Sequence, residues 1–144
     1  MQRLFTTTRH VEAPPERVWP VLADVARWPE WTPTVDSLQR LDDGPLRIGS
    51  RARIHQPRLP RAEWEVTEVQ DGRSFTWEAS GPGLRTIGRH EVVAEGAGSA
   101  VTLSIEQTGP ASPVAALVWR RLTQRYLETE AASLAARVTG SPTG

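Results

Sequence analysis

The chain has 144 residues, with 17 arginines balanced by 17 acids, so its formal charge is zero; it contains neither cysteine nor lysine. The balance argues against nucleic-acid binding as the main activity. The two missing residue types exclude disulfides, thiolate metal sites, Schiff-base chemistry and P-loop phosphate binding.

The length suits one domain, expected over 1–139, with 140–144 as a flexible tail. Met1-Gln2-Arg3-Leu4 runs into an alternating pattern with no apolar signal-peptide stretch. No run approaches the ~20 apolar residues of a membrane helix, so no membrane insertion is expected and the cytoplasm is the expected compartment.

Residues 3–12 alternate as a strand, with Phe5 and Val11 on one face. Ala13-Pro14-Pro15-Glu16 then opens a helical segment, about 14–31, with proline in its first turn and Pro20 as an internal break. Within it Trp28 and Trp31 sit between Pro29 and Pro33, either plugging the end of the core or lending one indole to a pocket wall. Residues 35–42 read as a strand closed by Asp42-Asp43-Gly44-Pro45. An antiparallel meander follows over 51–56, 63–70, 73–80, 84–94 and 101–107, with turns at Pro57-Arg58-Leu59-Pro60, Asp71-Gly72, Gly81-Pro82-Gly83 and Gly96-Ala97-Gly98.

The stretch 112–139 reads as one helix, with Ser112 placed to cap it and Pro113 in its first turn. Its apolar residues form two flanks: Trp119, Leu122 and Tyr126 on one, Leu127, Ala131, Leu134 and Val138 on the other. Thr123 and Glu130 fall between them. A helix with polar residues along the middle of its inward face suits closure over a hollow. The expected architecture is therefore α+β, a seven-stranded twisted antiparallel sheet around a long C-terminal helix.

This order, with Ala13-Pro14-Pro15-Glu16-Arg17-Val18-Trp19, Trp28-Pro29-Glu30-Trp31-Thr32-Pro33, Trp64-Glu65-Val66-Thr67-Glu68-Val69 and Phe75-Thr76-Trp77, resembles the START-like, Bet v 1-type (SRPBCC) superfamily. The nearest branch is the bacterial polyketide cyclase/dehydrase-like proteins. The resemblance implies a helix-grip fold with a hydrophobic cavity between sheet and helix. It implies a gate at the turn 57–62, where Leu59-Pro60 is the apolar tip, and a second lip at 81–84. It carries over no catalytic signature.

The inward polar residues are Gln56, Thr86, His90, Gln107, Thr123 and Glu130; with Leu59, Trp64, Trp77 and Trp119 they form the expected ligand-binding set. His90 and Glu130 are the candidates for acid–base chemistry, though either can equally be structural, Glu130 by pairing with an arginine such as Arg9. His10 and His55 point outward, so no metal site converges, and no cofactor is implied. Three functions fit: a binder of a small hydrophobic, aromatic or polyketide-like molecule; a polyketide cyclase or dehydratase; and a co-chaperone-like interaction module. The sequence does not specify an oligomeric state.

Overall fold

The computed structural model describes residues 3–140. Seven strands, β1 (Leu4–Val11), β2 (Ser37–Arg40), β3 (Arg51–His55), β4 (Ala62–Gln70), β5 (Ser74–Gly81), β6 (Leu84–Glu95) and β7 (Gly98–Thr108), form one sheet in the order β1-β7-β6-β5-β4-β3-β2. Every neighbouring pair is antiparallel. The long helix α3 (Ser112–Thr139) lies against β1 and β7. This is the α+β architecture expected from the pattern, in the helix-grip arrangement that the resemblance implies.

The segment after β1 folds in three pieces: α1 (Pro15–Ala23), a 3₁₀ turn over Val25–Arg27 and α2 (Trp28–Trp31). Pro20 does not break α1. Its ring faces solvent, and the helix runs on to Ala23 with only the Pro20 amide missing from its hydrogen bonds. Val18, Trp19 and Leu22 bury the inner side of α1.

Two local expectations are corrected. The strand expected over 35–42 is regular only from Ser37 to Arg40, at the sheet edge, with the Asp36 amide donating to the His55 carbonyl and the Leu41 amide to the Arg51 carbonyl, each at 2.9 Å. Asp42 ends it by turning its carboxylate onto the backbone: Oδ1 accepts from the Arg51 amide at 2.9 Å, and Oδ2 from the Ser50 hydroxyl at 3.0 Å. An aspartate that captures nearby backbone in this way competes with the strand ladder.

Ser112 does not cap α3. Ala111 takes the cap position, held by its amide donating to the Gly83 carbonyl at 2.8 Å, while the Ser112 hydroxyl is buried without a hydrogen-bond partner. The β5–β6 turn thus reaches across to fix where the helix starts. At the other end Gly140 adopts φ +72°, a left-handed stop that glycine tolerates without strain. The rest of the expected tail, 141–144, lies outside the described residues.

Ser112→Ala tests this start site. A serine that caps costs about 1 kcal/mol when truncated, whereas an unpartnered buried hydroxyl costs stability while present. The expected result is an unchanged or raised melting temperature, measured by circular dichroism.

Candidate functional site

The hydrophobic core fills two regions and leaves a third open. Leu134, Val138 and Ala131 of α3 pack tightly against the sheet side, and Phe75, Trp28 and Trp77 form an aromatic cluster beneath α1 and α2. Between them, under the middle of α3, lies a cavity of about 440 Å³. Such a volume lies within the range of small-molecule sites.

All ten residues of the expected ligand-binding set border this hollow. Trp64, Trp77, Thr86, His90 and Gln107 rise from the concave face of β4, β5, β6 and β7, and Gln56 follows β3. Trp119, Thr123 and Glu130 descend from α3, and Leu59 closes in from the β3–β4 turn. Trp28 plays both parts considered for it: it is 3 % exposed within the core, and its indole also borders the cavity. Its Nε1 donates to the Leu22 carbonyl at 3.0 Å, which fixes the ring.

Strand alternation brings these side chains together. Thr86, Gly88 and His90 share the inner face of β6, opposite Gln107, Ile105 and Leu103 of β7. Gly88 has a specific part. A Cβ there would lie 3.1 Å from Cδ1 and Nε1 of Trp77, so the absent side chain lets that indole lean across the sheet.

His90 stacks on Phe75, with ring centroids 4.1 Å apart and planes 10° apart, and lies edge-on to Trp77 at 5.7 Å. Its Nδ1 sits 3.2 Å from the Phe75 carbonyl. A carbonyl can only accept, so Nδ1 carries the proton and Nε2 is left as an acceptor. Burial holds the imidazole neutral by pushing its pKa down to about 4, against the smaller opposing pull of the Phe75 carbonyl. Among the described residues Nε2 has no hydrogen-bond partner. The buried Oε1 of Gln107 is likewise unpartnered.

Glu130 borders the hollow and keeps some exposure there, yet protein surrounds it closely enough that burial pushes its pKa up to about 7, partly offset by a hydrogen bond with Thr34. Thr34 is itself buried, with its hydroxyl 2.9 Å from that of Thr32. The expected pairing with Arg9 does not occur. Arg9 is exposed and borders a separate shallow groove beside Glu128 and Thr129, on the other flank of α3. Because His90 is neutral, it does not pull the Glu130 pKa down.

Tyr126 was legible only as part of an apolar flank; the structure gives it a second task. Its hydroxyl donates to the Pro57 carbonyl and so ties α3 to the β3–β4 turn. In that turn Arg58 adopts φ +68°, a left-handed conformation that is uncommon for a residue other than glycine. The other two histidines stay away from the cavity: His10 contacts Glu12 and Glu95, and His55 contacts Asp36 at 3.2 Å. The described residues hold no cluster of three potential metal ligands.

A curved sheet gripping a helix over a cavity with sparse polar groups defines the helix-grip class of ligand-cavity proteins. The chain belongs to the polyketide cyclase/dehydrase and lipid transport family, whose model matches residues 2–139. No curated protein matches the sequence.

Solved structures share the fold at low identity. A START superfamily protein from Mycobacterium smegmatis aligns with a TM-score of 0.79 and 16% identity, covering 98% of this chain and 100% of the other. The protein TTHA0849 from Thermus thermophilus gives 0.75 and 22%, with coverages of 97% and 99%. Norcoclaurine synthase from Thalictrum flavum, solved in complex with dopamine and hydroxybenzaldehyde, gives 0.75 and 16%, with coverages of 98% and 88%.

The two buried titratable groups generate opposed pH dependences. The folded-state pKa of Glu130 is raised from 4.5 to about 7, so its burial costs stability progressively as pH climbs through that window. The pKa of His90 is depressed from 6.5 to about 4, so stability rises with pH through that range. Between pH 4.5 and 6.5 the two slopes cancel in large part. Each is worth about 3 kcal/mol at most, less for Glu130 because solvent in the hollow screens it. Urea titrations across pH should show stability rising up to about pH 6.5 in Glu130→Gln, and falling from about pH 4.5 to 7 in His90→Asn.

Proposed function

We propose that this protein binds a small, flat, largely apolar molecule in the hollow between sheet and α3, and orients it by a hydroxyl or N–H group. The observation carrying this reading is the character of the hollow. Trp28, Trp64, Trp77 and Trp119 wall it without filling it, and among the described residues the buried Oε1 of Gln107 and the less enclosed Nε2 of His90 have no protein partner beside it. An unfilled buried acceptor costs free energy that a ligand donor recovers. The co-chaperone-like reading draws no support from this arrangement, since its expected sign is a cavity plugged by indoles.

A second reading, cyclase or dehydratase activity on a poly-β-ketone, is favoured by one specific observation. A carboxyl held near pKa 7 and a neutral imidazole offering an unprotonated Nε2 both border the same hollow. At neutral pH the Glu130 carboxyl can donate a proton, and Nε2 can accept one. Loss of poly-β-ketone turnover in Glu130→Gln with ligand affinity preserved would establish this chemistry, and absence of turnover in the unmodified protein would leave the binding reading alone.

Naphthol and naphthalene make a direct test of ligand class, since they differ by one hydroxyl. Both should quench tryptophan emission saturably, with naphthol about tenfold tighter, as expected for pairing a buried acceptor. The preference should vanish in His90→Phe. The gate supplies a kinetic test. Tyr126→Phe removes the bond to Pro57, and Leu59→Ala removes the apolar tip, so each should speed probe release in stopped-flow with little change in melting temperature.

A further inference from the structure

Charge is neutral over the whole chain but not around the mouth of the cavity. The mouth lies between the β3–β4 turn, the β5–β6 turn and the N-terminal half of α3. Residues 56–62 hold Arg58 and Arg61 and no acid; residues 79–84 hold no charge. From Gln107 to Leu127 the chain carries Arg120, Arg121 and Arg125 and no acid. All five arginines are exposed, and none makes an ion pair among the described residues. Of the acids bordering the region, Glu63 is paired with Arg51, while Asp36 contacts His55 and Glu128 accepts from Gln124.

The same stretch of α3 exposes its aliphatic residues. Val114, Leu117 and Val118 are 65%, 65% and 66% accessible, although each is large and apolar. Spaced i, i+3, i+4, they share one face, and Arg121 and Arg125 continue it one and two turns on. The opposite face of these turns, through Trp119 and Thr123, lines the cavity. An exposed aliphatic stripe edged by arginines is the pattern of a helix that lies in a membrane interface.

We infer that the exposed face of the N-terminal half of α3 docks onto an anionic phospholipid surface beside the cavity, with the arginines of the β3–β4 turn adding to the positive field. The aliphatic triad enters the headgroup boundary, and the guanidinium groups of Arg121 and Arg125 sit at the level of the phosphates. None of the described helices is long and apolar enough to cross the bilayer. A second copy of the chain is a poor occupant. A two-fold contact through this face would bring arginines of both copies together with no acid of the stretch between them, and three aliphatic side chains fall well short of the ~800 Å² per partner of a stable interface. The docking does not depend on what the cavity holds.

Sedimentation of the full chain with lipid vesicles tests this. The expected result is binding to phosphatidylcholine vesicles containing phosphatidylglycerol, little binding to phosphatidylcholine alone, and release by salt. Arg121→Gln with Arg125→Gln should weaken binding at least tenfold, as should Val114→Ser with Leu117→Ser. Naphthol binding and melting temperature, unchanged in both, would show an intact fold and site. The inference is overturned if no vesicle binds, if charge makes no difference, or if the variants bind like the parent. It is also overturned if sedimentation velocity shows a dimer that Leu117→Ser dissociates, or if the face captures an acidic protein while ignoring vesicles.

Discussion

A single straight helix laid across a curved sheet cannot touch it everywhere, and the rest of this molecule follows from where contact is made. The C-terminal turns of α3 are in full contact: Ala131, Leu134 and Val138 are buried, and Leu134 completely so. The first turn is anchored by Ala115 and Ala116, small enough to bring backbone close, and by the bond from Ala111 to Gly83. Between these fixed ends the middle of the helix stands off. Trp119, Thr123 and Glu130 project into the gap without filling it. Packing normally eliminates voids, because every unfilled volume forfeits dispersion contacts. A cavity of about 440 Å³ in a domain this small is a sustained cost, and the anchoring at both ends keeps it from collapsing.

The chemistry of the hollow depends on the same geometry. His90 is neutral because it is buried, and it shows Nε2 as an acceptor because Phe75 occupies Nδ1. Glu130 is held near neutrality because the standing-off helix carries it away from bulk water without supplying a cation. One carboxyl and one imidazole thus acquire pKa values displaced in opposite directions: at pH 7 the imidazole is neutral and the carboxyl about half protonated. A neutral, low-dielectric space with directional acceptors discriminates by hydrogen-bond donors rather than by charge.

Much of this was legible in the residues, because strand alternation and helical periodicity are strong signals. Trp64, Trp77, Thr86, His90 and Gln107 could be placed on one face by counting in twos, and Thr123 and Glu130 between two apolar flanks by counting in 3.6. Contacts between elements distant in sequence had no such signal. The pairing of Ala111 with Gly83, which moves the helix cap off Ser112, joins residues 28 apart. The bond from Tyr126 to Pro57 spans 69 residues, and nothing in an apolar flank announces that its one phenol is a latch. Glu130 was legible as inward, but its partner was not: Thr34 comes from the irregular link before β2, whereas Arg9 on β1 had the more obvious charge. Gly88 alternates onto the inner face of β6 with Thr86 and His90, and only the indole leaning over it shows why a side chain is absent there.

The central claim is that the hollow is a real site with a defined polar end. Diffraction from crystals soaked in a bromonaphthol would test it most directly, since bromine is located by its own anomalous signal. The account predicts a bromine peak under the middle of α3, among Trp64, Trp77 and Trp119, with the hydroxyl oxygen within hydrogen-bond distance of His90 Nε2. A peak confined to the surface, or a Trp119 side chain turned inward to occupy the space in every crystal, would contradict it.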